Sequence, residues 1–547
     1  MKRSSVGLLA VLSMFISPLS NACGGFFCSL TPIAQAGEQI IFKQENGNTT
    51  TMVRILYTGE AEDFAWVLPV PATPQLSIGS DITFTELEIS TRPQFNLQRT
   101  GTSCLSEDDV VFTAAADGTT SPVALPEGVV IEETLEVGPF DAQVISSDDA
   151  TALSSWLVDN NFDLTERGIE LLQPYIDDSM KFVVLKLQNN KSSGDITPII
   201  LNYESDKPVI PLRLTAVAAQ ADMGVLVWIL GEARAVPDNF LHVVPNYTRL
   251  NWYAGASNAY ASYQTLITTA MNEAGGQGFA TDLAGPVSDL TQNLTNAVPF
   301  TTLLTSLEGA TDAEFIEGIW NGTINTQIAS EIQTALPLPV GQNTLLYSNV
   351  PALITQFTPE QLSRARVDVS EYIAMEVIAP LNNAVDILDD GMYLTRLYTT
   401  LSPEEMLVDP TFVFNSDMPQ QSQIREANLH TACVDDQNQF TLTLGEGTGR
   451  DDEVVLQSAV EFPNTAQVSS QEASWQIAVT SDVGSPNIQT QREFETKTVG
   501  DFKEQDSSSG SGGGPVGGRE GGGPIGFGII FMLACLRSIY FLAIKKS

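Results

Sequence analysis

An apolar run stands near each end of this chain, and together they decide in which solvent everything between them must fold. Lys2 and Arg3 precede the run from Val6 to Leu19, and Ser20-Asn21-Ala22 sets small residues at the last and third-last positions before a cleavage point. That three-part build predicts a secretory signal peptide over 1–22, cut after Ala22. Two alternatives stay open: an uncleaved membrane anchor, and acylation of Cys23, for which Ser20 is a poor substitute for the aliphatic residue such sites carry. At the other end, 506–524 is almost entirely Ser and Gly, a composition that cannot pack and behaves as a tether. The segment 525–544 then offers about 20 residues, roughly 30 Å as a helix, which matches the hydrocarbon thickness of a bilayer. Arg537 inside it costs about 2–3 kcal/mol, eased by snorkelling toward the near interface. Lys545-Lys546 stays cytoplasmic by the positive-inside rule. The expected partner of this segment is the lipid bilayer, crossed once with the body outside the cytoplasm.

A glycine-rich stretch, a short apolar helix and a basic end also resemble the tripartite sorting tags of bacterial surface proteins. There a membrane protease cuts near the glycines, and that sorting protease, or another envelope protein, becomes the expected partner. This tail ends in two lysines where such tags carry an arginine cluster. Permanent anchor and temporary tag both stay open, and either one leaves the body exported, in the cell membrane or at the cell surface.

The body between the ends is acidic. Against 66 Asp and Glu stand 26 Lys and Arg, a net charge of −40. Lys2, Arg3, Arg537, Lys545 and Lys546 all lie in terminal segments that hold no acid, so the excess in the body is larger still. Nucleic acid is excluded as a partner, because phosphate binding needs clustered positive charge. Hydrophobic residues at 43% of 547 give enough material for a real core and several domains. Only His242 and His430 are present, which excludes a multi-histidine zinc site.

Cys535 falls in the apolar C-terminal segment, leaving Cys23, Cys28, Cys104 and Cys433 in the exported part. An even number under oxidising conditions reads as two disulfides with three connectivities. Cys23-Gly-Gly-Phe-Phe-Cys28 is the preferred pair, since two glycines allow the tight turn that brings near cysteines together. Its small loop stabilises by roughly 2 kcal/mol. Elimination then pairs Cys104 with Cys433. A redox or metal pair is the alternative, although redox pairs space their cysteines by two residues rather than four.

Along the chain the pattern predicts an α+β fold. Met52–Tyr57 and Phe64–Pro69 read as the arms of a hairpin around Gly59-Glu60, with the second arm stopped by prolines. Val209–Val217 and Val225–Leu230 read as a comparable pair around Asp222-Met223-Gly224. Ala150–Tyr175 reads as helix, and Phe182–Leu187 and Pro198–Tyr203 as strands. From Tyr260 to Met406 the pattern turns helical, with capping boxes at Thr311–Glu314, Thr358–Gln361 and Ser402–Glu405. Strands return at Phe440–Leu444, Val454–Leu456 and Trp475–Val479. The expected organisation is a signal peptide at 1–22, a β-rich α+β domain at 23–255, a mainly helical region at 256–410 and a β-rich region at 411–505. The tether at 506–524 and the membrane or sorting segment at 525–544 complete it.

Chemistry is hard to find. No nucleophile elbow, Ser-x-x-Lys, zinc-protease helix, P-loop or dinucleotide fingerprint is present. His242, in Phe240-Leu-His-Val-Val244, reads as a strand or core residue and His430 as a loop residue. Asp386-Ile-Leu-Asp-Asp-Gly391 resembles a calcium loop but fails at Leu388 and Leu397, where acidic ligands belong. Asp435-Asp436 and Asp451-Asp452 read as turn acids, and the six Trp (66, 156, 228, 252, 320, 475) as core anchors rather than sugar platforms. No catalytic, cofactor-binding or metal residue is assigned and no cofactor is expected.

Cys23–Cys28, Gln35-Ala-Gly-Glu38, Phe64-Ala-Trp-Val-Leu-Pro-Val-Pro71, Pro211-Leu-Arg-Leu-Thr-Ala-Val-Ala-Ala219 and Leu394-Thr-Arg-Leu-Tyr-Thr-Thr400 together resemble the bacterial domain-of-unknown-function family 2330. The resemblance spans roughly Cys23 to Val413. It implies an exported envelope protein, often with a signal peptide and a C-terminal anchor or sorting segment, and supplies no activity and no functional residues. The expected function is a binding or scaffold ectodomain. A carboxylate-based extracellular hydrolase and a divalent-cation-dependent adhesion module are the alternatives.

Overall fold

The computed structural model describes residues 34–490 apart from 59–64, 103–129, 161, 163–165, 189–195, 253–254, 288–298, 323–325, 339–345, 348, 380–381, 383–385, 389–391, 436, 450–452 and 457–471. The chain divides into two compact units, Met1–Phe502 and Lys503–Ser547, and every described residue belongs to the first. Among the described residues no helix is long and apolar enough to cross a membrane. The signal peptide, tether and span expected at 1–22, 506–524 and 525–544 lie outside them.

Strands β1 (Ala34–Glu45) and β2 (Asn48–Thr58) form a hairpin. Its turn residues Asn46 and Gly47 both hold positive φ, 53° and 77°, as a two-residue turn between right-twisted strands requires. β3 (Ala65–Val70), β4 (Gln75–Ile78), α1 (Asp81–Thr91) and β5 (Gln94–Gly101) follow. Then come β6 (Val130–Val137), β7 (Phe140–Ser146), α2 (Ala150–Asp159), α3 (Glu166–Asp177), β8 (Lys181–Leu187) and β9 (Ile199–Glu204). One helical turn, α4 (Leu212–Thr215), leads to β10 (Ala219–Gly231), β11 (Arg234–Pro237), β12 (Leu241–Pro245), α5 (Gly255–Glu273) and β13 (Gly278–Pro286). Helices α6 (Pro299–Ser306), α7 (Asp312–Gly322), α8 (Thr326–Ala335), α9 (Val350–Ile354) and α10 (Pro359–Tyr372) precede β14 (Tyr393–Leu401). The remainder is β: β15 (Phe412–Asn415), β16 (Ile424–Val434), β17 (Gln437–Leu444), β18 (Glu453–Leu456), β19 (Ser474–Val479) and β20 (Asn487–Thr490).

Ten strands form one sheet in the order β20-β19-β12-β13-β14-β10-β1-β2-β9-β4. Period-two alternation gives it two apolar faces. Ile40, Phe42, Val53, Leu201, Val227 and Leu397 pack against Trp66, Leu68, Phe140, Val183 and Leu185 of a second sheet, β3-β8-β7-β6. Ile41, Met52, Ile200, Leu226 and Trp228 pack with Phe84 and Leu87 of α1. The outer face of the small sheet meets α2 and α3 through Val67, Val184, Leu153, Trp156 and Leu172. The core is therefore layered helix, sheet, sheet, helix, an α+β architecture. A further sheet, β18-β17-β16-β5, packs on α5 through Ala427, Leu429, Leu442, Ile267 and Ala270. The helices between β13 and β14 hold their own core around Ile316, Ile328, Ile332, Ala365 and Val369.

The α+β class is as expected, and several details differ. The two hairpins do not form. β2 pairs with β1 and β9, whereas β3 pairs with β8 in the other sheet. β3 is buried on both faces, so it belongs between layers and not at the surface end of a ribbon. Val209–Val217 contains α4 rather than a strand arm; Pro211 lacks the ladder donor, and Leu212 and Leu214 plug two adjoining cores. Ala150–Tyr175 is two helices. The stretch read as helical from Tyr260 also contains β13 and β14, which are paired neighbours in the large sheet with the helices as an excursion between them. Two capping boxes form: Thr311 and Glu314 exchange hydrogen bonds, as do Thr358 and Gln361. At Ser402 the backbone N–H donates to Glu405 Oε2 at 2.7 Å, but the segment is a turn, with Ser402 Oγ accepting from the Asp222 N–H at 3.1 Å.

Candidate functional site

Where β1, β2 and β9 face the end of β3, the two sheets leave a pocket of about 320 Å³. Ile40, Phe42, Val53 and Leu201 line it from the large sheet, and Leu68 and Val70 from the small one. The row that carries Ile40 and Phe42 inward along β1 also carries Glu38, two residues earlier. Alternation thus delivers a carboxyl group into an apolar cavity. Glu38 is 4% exposed, accepts a hydrogen bond from Gln35 Nε2 at 3.3 Å, and has no ion-pair partner among the described residues. Burial pushes it up to about 7, against the weaker opposing effect of the Gln35 hydrogen bond. Further along the pocket, where Thr51 stands opposite Phe42, Thr51 Oγ1 and the Tyr203 hydroxyl share a hydrogen bond at 2.9 Å, and burial pushes Tyr203 up to about 12.

A second polar group closes the pocket. Asp409 Oδ1 accepts from the Tyr175 hydroxyl and from the Arg213 backbone N–H, each at 3.0 Å, while Arg213 Nε stands 3.8 Å from Oδ2. Burial raises the Asp409 carboxyl, and the Arg213 hydrogen bond and charge pull it back. Asn239 holds this segment, donating to the Asp409 carbonyl and accepting from the Thr411 N–H, both at 2.8 Å. Exposed Asp178 and Lys207, the latter paired with Asp238 at 2.8 Å, mark the mouth. Such a cavity can hold an apolar body and one hydrogen-bonding group, for which Glu38 is a donor when protonated and an acceptor when ionised. Among the described residues no group of three or more His, Cys, Asp or Glu converges to hold a metal ion.

Three of the segments that carry the family resemblance meet here: Glu38, Leu68–Pro71, and Pro211 with Arg213. A fourth supplies Arg396, in a separate buried network. β13 bulges between Thr281 and Leu283, which turns Asp282 toward Arg396 on β14. Arg396 Nε donates to Asp282 Oδ2 at 3.0 Å, its Nη1 to the Glu88 carbonyl and Thr91 Oγ1, and the Tyr263 hydroxyl donates to Asp282 Oδ1. Both members of the ion pair are sealed from solvent, so this network holds elements together and meets no ligand.

His242 lies on β12, buried, with Nε2 3.4 Å from Thr281 Oγ1; burial and the Arg234 charge hold it down to about 3. His430 is on strand β16 rather than a loop, exposed, with Nδ1 3.1 Å from Thr100 Oγ1. Trp66, Trp156, Trp228 and Trp252 are buried in cores; Trp320 and Trp475 are half-buried. Asp386 is exposed and Asp435 occupies a left-handed turn position, φ 52°. Gly391, Asp436, Asp451 and Asp452 lie outside the described residues, as do Cys23, Cys28 and Cys104. Cys433, exposed on β16, is disulfide-bonded. Sequence reasoning did not single out Glu38, Arg213 or Asp409, although the first two sit inside quoted segments; an acid at an inward position of an alternating strand was the available signal.

A family model described as uncharacterized protein conserved in bacteria (DUF2330) matches residues 17–301, just over half of the chain and all of the pocket lining except Val408, Asp409 and Thr411. No curated protein and no solved structure matches.

Proposed function

This chain belongs to the DUF2330 family of uncharacterized bacterial proteins, and from that premise we propose that it is an exported envelope protein whose body binds small, neutral, largely apolar molecules. The observation that carries the binding is Glu38, an acid held near neutrality at the inner end of an apolar pocket with an open mouth. Export is supported by the signal-peptide pattern at 1–22 and by the disulfide at Cys433, since disulfides persist in oxidising compartments. The anchor or sorting tag at 525–544 would keep the body at the membrane or pass it to the surface, and the tether at 506–524 would let it reach away.

One observation favours a second reading, an extracellular hydrolase: a carboxyl poised near pH 7 suits a general acid or base. Binding is preferred because the wall that the small sheet contributes is Leu68, Pro69 and Val70 rather than a nucleophile. Titration of the full chain with the neutral dye Nile red tests it. Emission should rise saturably, more strongly below neutrality than above it, and Glu38→Gln should keep the binding and abolish its pH dependence. A Leu201→Trp variant should block the dye. Binding that is indifferent both to pH and to Leu201→Trp would place the dye elsewhere and end the proposal.

A further inference from the structure

A second cavity, about 210 Å³, opens between β12 and β19 on one side and the segments at 418–425 and 447–449 on the other. Among the described residues its charged lining is Arg234 and Arg425, with His242 beside them, and includes no Asp or Glu. In a chain with 66 acids and 26 bases this is the reverse of what composition alone would place there. Both arginines are withdrawn from solvent, 4% and 1% exposed. Arg425 is held rigidly: Nε donates to the Tyr247 hydroxyl and Nη2 to the Asp282 carbonyl, each at 2.9 Å. It reaches only the backbone of Asp282, whose carboxylate is engaged by Arg396 and Tyr263. Arg234 Nη1 donates to the Pro419 carbonyl at 2.6 Å, while its Nε, fully buried, has no acceptor among the described residues. Arg396 and Arg425 thus share the field of one carboxylate, while Arg234 has no ion-pair partner among the described residues, and a buried cation without a counter-charge is expensive.

The lining also offers apolar surface at Met418, Pro419 and half-buried Trp475, beside polar side chains such as Gln421 and Gln476. One wall is main chain: Gly447 has φ 78°, and a Cβ there would lie 1.9 Å from the Ile424 carbonyl oxygen, so the chain passes closer than any side chain permits. We propose that this cavity binds a small organic carboxylate, its charge taken by Arg234 and Arg425 and its apolar body lying against Met418, Pro419 and Trp475. The guanidinium fork matches a carboxylate in geometry as well as in charge. The electrostatics agree: burial and the neighbouring Arg425 charge depress Arg234 to about 10, and His242 stays neutral. A bound anion relieves the repulsion between the two arginines.

The purified full chain titrated with benzoate, with tryptophan fluorescence and thermal melting as readouts, tests this. Benzamide has the same shape without the charge. Benzoate should saturate with a dissociation constant of about 1 mM or tighter and raise the melting temperature. Benzamide should bind at least about tenfold more weakly, since a bond to a charged group is the stronger kind. Arg234→Gln should weaken benzoate about 10- to 100-fold and leave benzamide unchanged. Trp475→Phe should lose the fluorescence response and keep the thermal shift. Equal binding of benzoate and benzamide, or no response to benzoate up to about 10 mM, overturns the proposal on the native chain alone, whatever the folding of the variants.

Discussion

At the scale of single residues, Glu38 is a group whose ionisation is costly where it stands. Its carboxyl shares the pocket-facing row of β1 with Ile40 and Phe42, with only an amide to accept from among the described residues. The ordinary value of 4.5 is raised to about 7 in the fold. Below 4.5 the group is neutral in both folded and unfolded chains, and its ionisation takes nothing from stability. As pH climbs from 4.5 through 7 the unfolded chain ionises while the fold retains the proton. Stability then falls by on the order of 3 kcal/mol and stays lower above that window. Glu38→Gln removes the titration. The variant should match the native protein in acid and exceed it by on the order of 3 kcal/mol in mild alkali, read from denaturant midpoints at the two pH values. Parallel pH profiles of the two proteins would show that Glu38 does not titrate in the cavity. A residue that weakens the fold at working pH is of the kind retained for function rather than packing.

At the scale of elements, what the sequence makes legible is what is settled within a few residues. Thr311 and Thr358 begin helices because cap and acceptor lie three residues apart, and both boxes form. Ser402-Pro-Glu-Glu405 shows the limit: the same backbone-to-Glu bond is made, but Ser402 Oγ is claimed by Asp222 across the fold and no helix follows. Strand identity was readable at Phe182–Leu187 and Phe440–Leu444, whereas strand partnership was not. β2 and β3 are near in sequence yet lie in different sheets, because pairing depends on β1, β8 and β9, whose ladders no local pattern reveals. The bulge at Asp282 was equally invisible, being one extra residue in a register that exists only once β14 is alongside. Its consequence is testable. Asp282→Asn leaves Arg396 buried without its counter-charge and should destabilise the fold by about 3–5 kcal/mol. Replacing Arg396 with Met in the same chain should recover part of that loss in a double-mutant cycle. Strictly additive losses would mean that the two side chains do not depend on each other.

At the scale of the whole molecule, the layered core joins strands from nearly the full length of the described chain, and the candidate pocket inherits that reach. Glu38, Leu68 and Arg213 come from quoted segments, but Asp409 arrives from beyond the helical excursion, so no spacing rule gathers the set. The same long-range closure bears on compartment. β5 runs parallel to β16 with Gly101 beside Thr431, and the Thr102 N–H donates to the Thr431 carbonyl at 2.9 Å. The described chain at the end of β5 thus pairs with the strand that carries the disulfide-bonded Cys433. Cys104, two residues beyond Thr102 in sequence, is the partner expected from the cysteine count, with Cys23 and Cys28 then left to each other. A bridge between such distant positions would close a very long loop and contribute about 6 kcal/mol in the chain-entropy model, tying the early and late parts of the chain into one cooperative body. Non-reducing peptide mapping of protein taken from the cell envelope should return Cys104 linked to Cys433, Cys23 linked to Cys28, and a mature N-terminus at Cys23. Reduction should lower the melting temperature, and Cys104→Ser should do so without any reductant. A free Cys433 thiol, or a cytosolic chain that still begins at Met1, would remove both the staple and the exported state it implies.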